Sequence, residues 1–184
     1  GVAVLTISDD DAAPAISIDD ATTASEVGIG QQVTVRLNAA SQQTVTVDYS
    51  TSDVTAWAGD DYTADTGTVT FNSGSTTETI SIPILQDSID EINETFEIQL
   101  SNPSNATIAD NTSVVTITDD ETTPSLSISG SSAPDDNGTL TATVNLSGAS
   151  ALTVEVDYAT SNGTATAGND YIATSSTLTF APGQ

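Results

Sequence analysis

The segment Val47-Asp48-Tyr49-Ser50-Thr51-Ser52 returns as Val156-Asp157-Tyr158-Ala159-Thr160-Ser161, at an offset of 109 positions. The offset holds downstream. Ala58-Gly59-Asp60-Asp61-Tyr62 reappears as Ala167-Gly168-Asn169-Asp170-Tyr171, and Thr68-Val69-Thr70-Phe71 as Thr177-Leu178-Thr179-Phe180. A third, partial copy opens the chain: Ile7-Ser8-Asp9-Asp10-Asp11 ahead of Pro14 mirrors Ile117-Thr118-Asp119-Asp120-Glu121 ahead of Pro124, at an offset of 110. Self-similarity at a fixed period marks a modular array. The register predicts the final strand of one repeat over 1–11, a complete repeat over 12–123 and the N-terminal half of a following repeat over 124–184. Half a sandwich ending after Phe180 would leave apolar faces uncovered, so an excerpt of a longer polypeptide is expected.

Within the complete repeat the local signal is a period of two. Gln32 to Leu37, Thr44 to Tyr49, Thr68 to Phe71, Thr79 to Ile84, Thr95 to Leu100 and Ser113 to Thr118 alternate polar with apolar residues, and Ile16 with Ile18 suggests a short opening strand. Seven short strands separated by Gly, Asn, Asp and Ser turns, with no window of helical period, predict an all-β fold: immunoglobulin-like Greek-key β-sandwich repeats in tandem. Pro83 inside its strand implies an edge or a bulge there, since proline cannot donate to a ladder.

Composition narrows the function. Twenty-six acidic side chains face one basic residue, Arg36, and no histidine, for a formal net charge of -25. Such a surface repels nucleic acid and anionic membranes and attracts cations. Without histidine or cysteine, and with no lysine, serine-triad, thiol and Schiff-base mechanisms have no residues to run on, so no enzymatic role is expected. No apolar run is long enough to cross a membrane as a helix. The aromatic share of 4 % implies a thin, aliphatic core.

The arrangement Gly59-Asp60-Asp61-Tyr62, then Gly67-Thr68-Val69-Thr70-Phe71 with Gly74, then Asp87, Asp90-Glu91, Glu94 and Phe96, then Leu100-Ser101-Asn102, then Ile117 with Asp119-Asp120-Glu121, resembles the Calx-beta family. The resemblance implies an immunoglobulin-like fold with a cluster of calcium ions at one pole. Carried over position by position, it implies Glu26, Asp61, Asp87, Glu91, Glu94, Asp119, Asp120 and Glu121 as metal ligands. Gln86 stands where exchanger domains of the family carry a further aspartate, and Glu121 where they carry a third, which implies fewer ions or weaker sites. In the second copy, Asp135 or Asp136 and Asp170 match the first two ligand positions, and Asp9 to Asp11 match the closing triplet.

The chemistry agrees with that implication. Calcium takes six to eight oxygen ligands, and this chain offers only oxygen. The bland alternative is that aspartates populate turns through Asx hydrogen bonds, which is the expectation for Asp48, Asp65 and Asp110. The acidic triplet stands apart because it recurs before a proline. Trp57 is expected to pack over the pole of the sandwich, and the recurrent tyrosines to be core or corner residues. Together these readings predict a Ca²⁺-binding structural repeat of a long extracellular adhesin or surface filament, secreted or at the cell surface, with calcium stiffening domain junctions. The expected partners are adjacent repeats of the same polypeptide, other copies in a filament, or a host or surface ligand. The competing readings are a glycan- or protein-binding sandwich module and a calcium-sensing regulatory domain.

Overall fold

The computed structural model describes residues 1–5, 12–22, 26, 30–132 and 138–184. Asp9, Asp10, Asp11, Asp135 and Asp136 lie outside the described residues. Every regular element among the described residues is a β-strand. They divide into two compact units, one of residues 1–86 and 93–118, the other of residues 87–92 and 119–184.

The first unit is an immunoglobulin-like sandwich. Its elements are β1 (Ala15–Ile18), β2 (Ala21–Thr22), β3 (Gln31–Leu37), β4 (Val45–Asp53), β5 (Thr66–Phe71), β6 (Thr77–Ile82), β7 (Glu94–Ser104), β8 (Thr107–Ile108) and β9 (Thr112–Ile117). One sheet runs β6-β3-β1-β8 and the other β2-β9-β7-β4-β5. The alternation read from the sequence is the alternation of burial. Val33, Val35 and Leu37 of β3 point inward, as do Val45 and Val47 of β4, Phe71 of β5, Ile80 and Ile82 of β6, and Phe96, Ile98 and Leu100 of β7. Each such side chain gains about 1.5–3 kcal/mol on leaving water. Tyr62 lies flat against Phe96 at 4.1 Å between ring centroids and donates its hydroxyl to Asp53 Oδ1 at 2.6 Å. Burial, with that bond to Asp53, pushes the Tyr62 hydroxyl up to about 12.

Two expectations need correction. The opening strand at Ile16 and Ile18 is β1, which pairs antiparallel with β3, but a further strand outside the expected seven follows it in the other sheet, β2, which pairs parallel with β9. The chain crosses between sheets at Asp19 and Asp20, where Ser113 Oγ donates to Asp19 O at 2.7 Å and Val114 N to Asp20 Oδ1 at 2.9 Å. Pro83 is not inside β6, which closes at Ile82, although β6 is an edge strand as expected. Pro83 instead accepts a hydrogen bond from Thr63 N at 2.9 Å, a role that needs only its carbonyl.

The second unit contains two hairpins: β10 (Leu126–Ser129) with β11 (Thr143–Leu146), and β12 (Val154–Ala159) with β13 (Ser175–Phe180). Its segment 87–92 is fixed to the turn at Ala149–Ala151. Asp90 N donates to Ala149 O at 3.2 Å, Ala151 N donates to Asp90 O at 2.9 Å, and Ser150 Oγ donates to Asp90 Oδ2 at 2.9 Å. Both Asp90 and Ser150 are buried.

Candidate metal centre

Asp61 owes its place to the turn that precedes it. Gly59 has φ of 102°, a left-handed conformation that a side chain would strain, and this lets the chain double back. Trp57 O then accepts from Asp60 N at 3.2 Å and from Asp61 N at 3.0 Å, while Trp57 N donates to Asp61 Oδ2 at 2.6 Å. Asp61 O accepts from Leu85 N at 2.9 Å, so the loop is pinned to the strand-end that follows Pro83. Glu94 opens β7, and Asp61 and Glu94 each bring a carboxylate oxygen within 4.8 Å of the other. Glu26, also of this unit, is only 7 % exposed. Trp57 itself is a correction: the residue is 62 % exposed, and it is its N–H and carbonyl that hold the loop.

In the second unit the other five expected ligands fall on two short segments. Asp87 Oδ1 accepts from Ile89 N at 2.8 Å, a local Asx turn. Glu91 N donates to Asp119 Oδ1 at 3.0 Å, tying the first segment to the acidic triplet across 28 positions of sequence. Asp120 and Glu121 offer carboxylate oxygens within 4.8 Å of each other. Burial pushes the Glu121 carboxyl above its ordinary value, and the charges of Asp120 and Asp119, a hydrogen bond with Asp119 and the charge of Asp87 push it the same way. Glu121 Oε2 is buried and meets no hydrogen-bond donor. Gln86, at the departure from the exchanger pattern, is exposed.

Two carboxylates at this separation repel by about 3–4 kcal/mol at an effective dielectric near 20. The chain's only basic side chain, Arg36, is committed to Asp19 at 2.8 Å and cannot offset that repulsion. A buried acceptor oxygen without a donor costs roughly 1–3 kcal/mol. Both costs vanish if a cation takes the oxygens. The donor set is oxygen throughout, which suits a hard cation of the calcium type and offers no nitrogen or sulfur to zinc. The residues fit such an ion.

The second repeat reproduces the cradle of Asp61. Gly168 has φ of 90°, and Thr166 N and Thr166 Oγ1 donate to Asp170 Oδ2 at 2.7 and 2.9 Å. Those two bonds hold the Asp170 carboxyl below its ordinary value.

Two acids have structural roles that the sequence did not assign them. Asp53 anchors Tyr62 and also accepts from Ala58 N at 2.9 Å; the 109-residue offset, which sets Asn162 in the matching place, was the available signal. Asp90 stands in the motif that carries the family resemblance, but nothing there pointed to its partner Ser150, 60 positions away. The bland reading holds for Asp110, whose Oδ1 accepts from Thr112 N, but not for Asp65, which takes the Tyr49 hydroxyl at 2.7 Å from 16 positions away, nor for Asp48, which lies within β4 and accepts from Thr68 Oγ1 and Asn102 Nδ2.

The first unit is a two-sheet β-sandwich, and comparison settles the family. The profile of the Calx-beta domain matches residues 9–121 and again 125–184, so the chain belongs to the Calx-beta family, in two successive copies. Sodium/calcium exchanger 1 of Canis lupus familiaris and of Bos taurus is 48 % identical over 59 residues, which is 32 % of this chain and 6 % of each exchanger. The chain therefore spans a small part of the curated relatives it matches. Among solved structures, the apo-form Calx CBD1 domain is 26 % identical with a TM-score of 0.54, covering 59 % of this chain and 98 % of that domain. The calcium binding domain CBD12 of CALX1.1 is 26 % identical with a TM-score of 0.55, covering 91 % of this chain and 70 % of that one.

Proposed function

We propose that this chain is a calcium-binding tandem that serves as a structural repeat of a long extracellular adhesin or surface filament, binding ions without turning over a substrate. The observation that carries the calcium reading is Glu121, whose Oε2 is buried without a donor beside further carboxylates. We assign ion binding to the carboxylates each unit offers, Glu26, Asp61 and Glu94 in the first and Asp87, Glu91, Asp119, Asp120 and Glu121 in the second. The similarity to a domain described as calcium binding supports the choice of ion. The strongly acidic surface, with a net charge of -25, supports the extracellular setting, where calcium is abundant and solubility is needed.

The connector supports the stiffening role. Only Thr122 and Thr123 stand between the acidic triplet and Pro124, which fixes one backbone dihedral and biases its predecessor toward an extended conformation. Ions beside so short a joint would leave it little freedom, and small-angle scattering with calcium and then with chelator tests this. An unchanged maximum dimension and unchanged flexibility in chelator would sink the stiffening role while leaving binding intact.

The identity to sodium/calcium exchanger 1 favours a second reading, a regulatory calcium sensor. Calorimetric titration of the chelator-stripped protein separates the two, because extracellular modules bind at roughly 10⁻⁴–10⁻³ M and sensors at roughly 10⁻⁷–10⁻⁵ M. Heat from neither range would overturn both.

A further inference from the structure

We propose that Asn162–Gly163 is a self-modifying site, at which the second repeat converts its asparagine to the aspartate that the first repeat already carries at Asp53. The two positions are equivalent by the 109-residue offset and by their bonds. Asp53 Oδ1 accepts from Tyr62 OH at 2.6 Å and from Ala58 N at 2.9 Å. Asn162 Oδ1 accepts from Tyr171 OH and from Ala167 N, each at 2.8 Å. The amide orientation is fixed by chemistry, because a backbone N–H can only meet the side-chain oxygen. The cradle therefore takes a carboxylate or an amide in one geometry, so an aspartate product keeps both bonds.

The same cradle promotes the conversion. In the first step Gly163 N gives its proton to a solvent base and bonds to Asn162 Cγ, placing negative charge on Oδ1. The Tyr171 hydroxyl and the Ala167 N–H already point at that oxygen, the arrangement that lowers the energy of an oxyanion intermediate. Nδ2 then takes a proton from the solvent, the Cγ–Nδ2 bond breaks as the oxyanion collapses to a carbonyl, ammonia leaves and a succinimide remains. Water opens the ring, giving aspartate by attack at Cγ or isoaspartate by attack at the main-chain carbonyl; no oxidant or cofactor enters. Gly163 has no side chain to hinder ring closure, and its N–H is held only by a 3.2 Å bond to Ala165 O. Both residues are exposed to water and base.

The test is peptide mapping of the full 184-residue chain by mass spectrometry during incubation at mildly alkaline pH. Asn162 should convert faster than every asparagine not followed by glycine, and Asn137–Gly138, the other such pair, maps to its own peptide. Gly163→Ala should stop measurable conversion, and the variant should fold, because an added Cβ there meets nothing within 4 Å. Tyr171→Phe should slow conversion about tenfold, the effect of losing one hydrogen bond of about 1.4 kcal/mol at the intermediate. Asn162→Asp should leave the circular dichroism spectrum and melting temperature of the parent unchanged. Conversion at Asn162 no faster than at the other asparagines would overturn the site. A rate unaffected by Tyr171→Phe, in a variant whose spectrum matches the parent, would overturn the role of the cradle. A spectrum or melting temperature altered by Asn162→Asp would overturn the equivalence with Asp53.

Discussion

The hairpins β4–β5 and β12–β13 share one register and differ in everything that register does not decide. Val45 faces Phe71 as Val154 faces Phe180, and Val47 faces Val69 as Val156 faces Leu178. Yet Val45, Val47 and Phe71 are fully buried, whereas Leu178 is 38 % exposed and Val154, Val156 and Phe180 are half-buried. In the first unit β4 has a second neighbour, β7, which brings Ile98 and Leu100 against the hairpin, and the β6-β3-β1-β8 sheet lies over its apolar face. Among the described residues, β12 has β13 alone. Strand pairing is thus a local property of these sequences, and burial is a long-range one. The loops obey the same division. Asp61 and Asp170 sit in matching cradles built from residues four positions away, while the triplet at Asp119–Glu121 depends on segments some 30 residues distant.

The largest expected effect breaks or sharpens the first half of that comparison. Phe71→Ala should cost about 3–5 kcal/mol, as for other fully buried aromatics, whereas its counterpart Phe180→Ala should cost under about 1 kcal/mol. Urea titration followed by circular dichroism measures both. Equal losses would mean that the two hairpins stand in equivalent surroundings.

Calcium comes next. At a free concentration 100 times the dissociation constant, one occupied site should add about 2.7 kcal/mol to stability, and Asp170→Ala should leave that gain intact. Melting scans in calcium and in chelator decide it; a melting temperature that ignores chelation removes the ion from the account. Asp120→Ala should weaken calcium binding about tenfold or more, a loss of about 1.4 kcal/mol or more, with the spectrum in chelator unchanged. Undiminished affinity in that variant would take the triplet out of the site.

What could be read from the sequence follows the same line. The alternation in Val33-Thr34-Val35-Arg36-Leu37 and its fellows located the strands, because a period of two is a local imprint of a half-buried sheet. The core position of Tyr62 and the recurrence of the acidic triplet were legible through the internal repeat. The further strand β2 after Asp19–Asp20 was not, since which sheet a strand joins depends on Ser113 and Val114, 94 positions away. Trp57 misled for a related reason: a lone tryptophan argues for burial by composition, and here the loop uses only its N–H and carbonyl. Asp90 gave no sign of its role because a buried hydrogen bond to Ser150 leaves no periodicity behind.

The smallest expected effect sets a carboxyl raised by burial and by neighbouring carboxylates against one lowered by hydrogen bonds, and the two have opposite signs. Glu121 is raised above its ordinary 4.5 by burial, by Asp120 and Asp119 and by Asp87. The folded state therefore keeps the proton that the unfolded chain has already lost, so in chelator stability falls as pH climbs from about 4.5 through the folded value. Asp170 is lowered below its ordinary 3.8 by the N–H and hydroxyl of Thr166, so its contribution is present above 3.8 and is lost as pH falls through the folded value. Glu121→Gln should gain on the parent as pH rises past 4.5 in chelator, whereas Asp170→Asn should trail the parent by a margin that stays constant over that range and closes only as pH falls below 3.8. Calcium should erase the first difference and leave the second, because an ion bound to the deprotonated oxygens replaces the proton on Glu121 and has no counterpart at Asp170. Chemical denaturation across pH 4–7, with and without calcium, measures all four curves. A Glu121→Gln difference that is flat with pH in chelator would show that neither burial nor the carboxylates of Asp120, Asp119 and Asp87 act on Glu121.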